Sequence, residues 1–202
     1  MSILNFQKPD KILLQKATDF HGQFEFKPLE PGFGQTIGNS LRRILLSSLE
    51  GYAISAIRIA GVDHEFSSIP GVVEDVVDII LNIKQIRLKS AVKGDKATEH
   101  QIYITISGQD EFRAKDIESR TNMFKVMNPE LLICKMEPSV NLELEMTITK
   151  GRGYVPAEEN MPENAPIGVI PVDAIYTPLK KVSYHVSNTR VGQRTDYEKL
   201  SI

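Results

Sequence analysis

The stretch EPGFGQTIGNSLRRILLSSLEG, residues 30–51, opens like a loop that cradles a phosphate and ends like a helix that holds a protein. Which half governs decides the fold class. A Walker loop needs Gly-Lys-Ser/Thr at the helix start, with the lysine on the terminal phosphates. Here Gly38-Asn39-Ser40 stands in that place and the cation is missing. A dinucleotide fingerprint has two residues in its second gap and follows a buried strand. Three residues, Gln35-Thr36-Ile37, fill that gap, and Pro28 and Pro31 interrupt the segment before it. A tight turn and a close helix approach explain the glycines better. The spacing then predicts a helix from a Thr36 N-cap to Leu49, stopped by Gly51.

On a wheel with about 100° per residue, Ile37, Ile44 and Leu45 fall within roughly 60° of Leu41 and form a core stripe. Leu49 and Leu46 lie off it, with Arg42 between them and Arg43 just beyond. The apolar arc is about 200° wide, more than one sheet face requires. Leucines bordered by arginines suit a protein–protein contact, in which arginine is enriched. Snorkelling arginines on a deeply buried helix are the alternative.

Outward from this helix the chain is strand-rich. KILLQKAT (11–18) and QFEFKPLE (23–30) read as a hairpin across the four-residue loop DFHG. YAISAIRIAG (52–61) is apolar on both faces and reads as a strand covered on both sides. A second helix is expected at 72–84, with Val73, Val76, Val77, Ile80 and Ile83 at helical spacing. Its early Glu74, Asp75 and Asp78 and its late Lys84 and Arg87 match the helix dipole. Strands follow: one with Ile102, Ile104 and Ile106 on one face, two short ones broken at Asn128-Pro129, and one with Leu142, Leu144, Met146 and Ile148 inward, closing on the turn KGRG. Residues 156–168 read as a loop, and further strands are expected near 169–175, 180–187 and 195–202. Strands without βαβ alternation and two helices make the class α+β.

Composition bounds the chemistry. The 202 residues carry 24 basic and 26 acidic side chains, a net charge of -2, against a surface devoted to nucleic acid. Cys134, the single cysteine, excludes an internal disulfide and reads as a buried apolar residue. His21, His64, His100 and His185 share no metal-ligand spacing, and the adjacent Glu158 and Glu159 sit in a loop that cannot fix two carboxylates for acid–base work. No catalytic constellation emerges. The residues alone leave two other readings open: a phosphate-ligand enzyme built on the Gly32–Gly38 turn, and a β domain with an apolar ligand pocket.

LEPGFGQTIGNSLRRILLSSLEGYAI resembles the signature of the bacterial DNA-directed RNA polymerase alpha subunit in its N-terminal domain. The similarity continues in order through GVDHEFSSIPGVVEDVVDIILNIK, KGRGYVPA, PIGVIPVDAIYTP and TRVGQRTDYEKL. It implies a two-part domain. Residues 1–50 and 175–202 would form a dimerisation part, a sheet with a packed helix, and 51–174 an inserted, mostly β part. It also implies a non-catalytic assembly subunit of a nucleotidyltransferase complex, without cofactor or metal, that dimerises and carries the beta and beta-prime subunits in the bacterial cytoplasm. Carried over residue by residue, Arg43 and Leu46, with Arg42 beside them, would contact beta. Ile37, Leu41, Leu45 and Leu49 would face the second alpha subunit. Lys84, Val172, Arg152 and Tyr154 would contact beta-prime. The family pattern continues beyond DYEKL into another strand, a long dimer helix and, after a linker, a domain for promoter DNA and activators. With the sequence ending at Ile202, those parts are expected to be missing, and no DNA or membrane binding is expected here.

Overall fold

The computed structural model describes residues 8–9, 11–92, 97–161 and 165–202. Part of the expected 156–168 loop (162–164) and part of the charged loop before the Ile102 strand (93–96) lie outside the described residues. Along the chain run β1 (Lys11–Thr18), β2 (His21–Leu29), α1 (Phe33–Ser47), β3 (Glu50–Ile59), α2 (Val76–Ile83), β4 (Leu88–Ser90), β5 (Glu99–Ser107), β6 (Glu111–Arg113), α3 (Ala114–Arg120) and β7 (Phe124–Val126). Then come β8 (Leu132–Lys135), β9 (Asn141–Arg152), β10 (Tyr154–Val155), β11 (Val169–Pro171), β12 (Ala174–Ile175), β13 (His185–Val191) and β14 (Arg194–Ser201). The chain divides into two compact units. Unit 1 is Met1–Ser48 with Leu179–Ile202, and unit 2 is the continuous Leu49–Pro178.

Unit 1 is an antiparallel sheet of order β1-β2-β14-β13 with α1 packed on it. Its first hairpin turns more tightly than the sequence suggests. Thr18 pairs with His21, so only Asp19 and Phe20 form the turn. Cross-strand partners share a face. Leu14 opposite Phe24, Ile12 opposite Phe26, Phe26 opposite Leu200 and Leu200 opposite Val186 therefore define one apolar face across all four strands.

Unit 2 is organised around a sheet of order β5-β9-β3-β4-β7, with β11 also pairing β3. Ala53 to Ile57 of β3 are buried without a break, so both faces of this strand are covered. Ile102, Ile104 and Ile106 of β5 and Leu142, Leu144, Met146 and Ile148 of β9 point into the core. Ile79 and Ile83 of α2 and Ile117 of α3 join them in one cluster. Burying each such side chain contributes about 1.5–3 kcal/mol.

Four departures from the sequence reading stand out. The second helix is shorter than 72–84. Val73 N–H donates to Lys135 O at 2.9 Å and Lys135 N–H donates to Glu74 Oε2 at 2.6 Å, which ties residues 73–74 to β8. Asp75 then caps the helix, Val73 is left 75% exposed, and Ile79 rather than Val77 completes the buried stripe. A third helix, α3, escaped the periodicity because only Ala114 and Ile117 of its seven residues are buried. Its N-terminus is held by the Arg113 N–H donating to Asp116 Oδ2 at 2.8 Å. The strand expected at 180–187 lies instead at His185–Val191, and β9 continues through Lys150, Gly151 and Arg152 of KGRG, leaving only Gly153 before β10.

Candidate protein-contact surface

Gly32 takes a left-handed conformation, φ 86°, and serves as the N-cap of α1, so the helix starts at Phe33 and not after Thr36. Thr36 lies one turn in, where its hydroxyl donates back to Gly32 O at 3.3 Å. A helix N-terminus attracts anions through its free N–H groups. Here the anion is a side chain of the protein itself. The N–H groups of Gly32 and Gly34 donate to Glu198 Oε1 and Oε2 at 2.9 and 2.7 Å. A phosphate at this turn would have to displace that carboxylate. Glu198, on β14, carries no signal in the sequence that ties it to a turn 166 positions away.

The close approach comes from Gly34 and Gly38, the buried residues of α1. A Cβ on Gly34 would lie 2.8 Å from Val186 Cγ1, and one on Gly38 would lie 2.5 Å from the Tyr184 ring. Gln35 Nε2 donates to the Tyr184 hydroxyl at 2.8 Å, fixing that ring beneath the helix. The backbone of α1 thus rests directly on the sheet. Its apolar side chains do not form the buried stripe that the wheel suggests: Ile37, Leu41, Leu45 and Leu46 are half-buried, and Ile44 is 53% exposed. Arg42 and Arg43 are exposed, and among the described residues neither guanidinium has a hydrogen bond or ion pair. The helix ends at Ser47, with the Ser48 N–H donating to Ile44 O. Gly51 does not stop it; it lies within β3, where the Tyr176 carbonyl leaves no room for a side chain. Half-buried Leu49 sits between α1 and β3.

The apolar face of the unit 1 sheet extends beyond the helix. α1 packs on β13 and β14, while Ile12, Leu14 and Phe24 on the β1–β2 half remain exposed. An apolar helix edge, two uncommitted arginines and an uncovered sheet half make a surface suited to protein contact.

The remaining site residues fall in unit 2. Lys84 Nζ lies 3.3 Å from Asp173 Oδ2, and the Ala157 N–H donates to Asp173 Oδ1 at 3.0 Å. The Tyr154 hydroxyl also reaches Asp173. Burial alone would raise the Asp173 carboxyl; the bonds from Ala157, Lys84 and Tyr154 outweigh it and hold it below its ordinary range. Lys84, Asp173 and Tyr154 thus form one polar group. Arg152 stands apart from it, bonded to Glu50 Oε1 at 2.7 Å, with Lys150 on Oε2 at 2.8 Å. Val172 is 1% exposed and belongs to the core, so its side chain offers nothing to a partner; the neighbouring surface is Asp173 and Lys84.

The other chemical candidates have structural occupations. Burial, and then Glu74, push the Cys134 thiol up to about 12, too high for a nucleophile. His64 Nδ1 lies 3.1 Å from the Ser67 hydroxyl, and His100 packs edge-on against Phe124. Among the described residues no three His, Cys, Asp or Glu side chains are grouped to hold a metal, and no helix is long and apolar enough to cross a membrane. Glu158 and Glu159 are exposed on a short 3-10 turn, Ala157–Asn160.

Comparison with known proteins gives consistent matches. Residues 57–177 match the family model described as RNA polymerase Rpb3/RpoA insert domain. The DNA-directed RNA polymerase subunit alpha of Cytophaga hutchinsonii is 59% identical over 200 residues, and that of Flavobacterium psychrophilum 57%. The subunit of that name from Chloroherpeton thalassium is 49% identical over 202 residues. Each alignment covers 99% of this chain, and the chain spans 60% of the length of each of these relatives.

Proposed function

The chain belongs to the bacterial RNA polymerase alpha-subunit family, and from that premise we propose that it is an assembly subunit of a DNA-directed RNA polymerase, working in the cytoplasm. It dimerises through unit 1 and carries the two large subunits, and it contributes no catalytic group of its own. The observation that carries this reading is α1. A helix whose buried residues are two glycines, and whose leucines and arginines stay accessible, is built to be covered by other chains.

In this assembly Ile37, Leu41, Leu45 and Leu49 face the second alpha chain. Arg43 and Leu46, with Arg42 beside them, face beta. Lys84, Tyr154 and Arg152 offer a polar, partly charged contact to beta-prime. The free guanidinium of Arg43 suits a buried carboxylate or carbonyl on its partner, where loss of an arginine anchor costs about 2 kcal/mol or more. Co-purification tests this. Arg43→Ala should leave the circular dichroism spectrum unchanged and abolish capture of the beta subunit; wild-type capture by the variant would refute the assignment. An enzyme using the Gly32–Gly38 turn would instead show saturable nucleotide binding by calorimetry, against the Glu198 carboxylate already there.

A further inference from the structure

We propose that the free edge of the unit 2 sheet, together with the cleft beside it, docks an extended basic segment of a partner protein. The strand β5 ends the sheet order. From Gln101 to Ser107, among the described residues, its backbone exchanges hydrogen bonds with β9 only. Soluble proteins blunt such edges with proline, lysine, bulges or covering segments. This stretch pairs with β9 in unbroken register and carries no proline and no lysine. Its outward side chains, Gln101, Tyr103, Thr105 and Ser107, are exposed and uncharged, so an added strand meets no repulsion.

The outer face next to that edge has a definite charge. Register places Tyr103 opposite Glu145 and Glu145 opposite Arg58, while Thr105 lies opposite Glu143. These rows floor a cleft of about 370 Å³ whose rim includes Asp63 and Ile167. Glu145 is already matched: the Tyr103 hydroxyl donates to its Oε1 at 2.9 Å and Arg58 Nη1 lies 3.9 Å from its Oε2. The Glu143 carboxylate receives the Asn141 amide at 3.2 Å, and among the described residues neither it nor Asp63 has an ion pair. Two carboxylates are thus left without a cation beside the 85% exposed Ile167 and the open face of Tyr103. A lysine or arginine side chain has the complementary build, an apolar stem for Ile167 and a cationic head for the carboxylates and the ring. Strand addition at β5 delivers alternate side chains of the guest to this face. The edge therefore selects a peptide over a free polyamine.

Nuclear magnetic resonance titration of the whole chain tests the proposal. The probe is a synthetic eight-residue peptide alternating arginine and threonine, compared with its glutamate–threonine counterpart, its backbone N-methylated form and spermidine. The arginine peptide should give saturable shifts at Tyr103, Thr105 and Ile167 that weaken with salt. Affinity should fall about tenfold in the Asp63→Asn/Glu143→Gln double variant, which alters exposed charges and leaves the core untouched. The glutamate and N-methylated peptides should not bind. Displacement of the peptide by spermidine, equal binding of the glutamate or N-methylated peptide, shifts scattered over the surface, or unchanged affinity of the double variant would each overturn it.

Discussion

Glu198 and Gly38 show how single residues set the use of the glycine-rich turn. The loop-like sequence does create an anion site at a helix N-terminus, and the protein fills it with its own carboxylate. Gly38 does the opposite work, removing a side chain so that the helix can sit on Tyr184. Gly38→Ala must push a methyl group against that ring. Overpacking of this kind costs about 1–3 kcal/mol, which a urea titration should read as a lower unfolding midpoint with unchanged slope. Glu50 gives a pH prediction. Hydrogen bonds from Lys150, and then from Arg152, lower its carboxyl from 4.5 to about 2. A carboxyl depressed on folding stabilises the native state above its unfolded value, and that contribution disappears as pH falls from there through about 2. Carbon-detected titration of Glu50 should therefore give a midpoint near 2, moving toward 4.5 in Arg152→Ala; an ordinary midpoint in the wild type would contradict the pairing.

At the scale of elements, the sequence revealed what periodicity controls and missed what contacts from distant residues control. The alternation along β5 and β9 is simple, one face in and one face out, and the structure follows it residue for residue. The boundaries of α1 and α2 depended on non-local partners. Glu198 helps fix the start of one, and the bonds of Val73 and Glu74 to β8 delay the start of the other. Neither partner is near in sequence, so no local pattern could supply it. α3 was missed for a related reason: seven residues with two buried positions give no readable period. The exposure pattern of α1 was half legible. The wheel singled out Arg42, Arg43 and Leu46 as lying off the core stripe, yet it assigned the buried side to large residues when the glycines occupy it. The corrected stripe of α2 can be checked directly. Ile79, 1% exposed, sits in the core, whereas Val77 is 37% exposed. Ile79→Ala should cost about 2–5 kcal/mol, and Val77→Ala no more than about 0.5 kcal/mol; equal losses in chemical denaturation would restore Val77 to the buried stripe.

At the scale of the whole molecule, the two units close their chains differently. Unit 2 is one continuous stretch, and its apolar cluster draws on almost every element between β3 and β11. Unit 1 gathers both ends of the described chain, with β14 pairing both β2 and β13. Its sheet has Leu29 and Leu200 buried, yet Ile12, Leu14 and Phe24 remain open on the half that α1 does not reach. Such a face beside an apolar helix edge exceeds the scattered hydrophobics of an ordinary monomer surface. If a second chain covers it, introducing charge there should separate association from folding. Leu14 and Phe24 are direct cross-strand neighbours, so Leu14→Glu with Phe24→Glu places two carboxylates side by side in the middle of the patch. Neither side chain is part of the buried core, so the far-ultraviolet spectrum should stay native. Light scattering should report the mass of two chains for the wild type and of one for the double variant across the same concentration range. A wild type that stays at the mass of one chain at every concentration would assign the patch to a different protein, and association unaffected by the paired glutamates would place the contact on the helix edge alone.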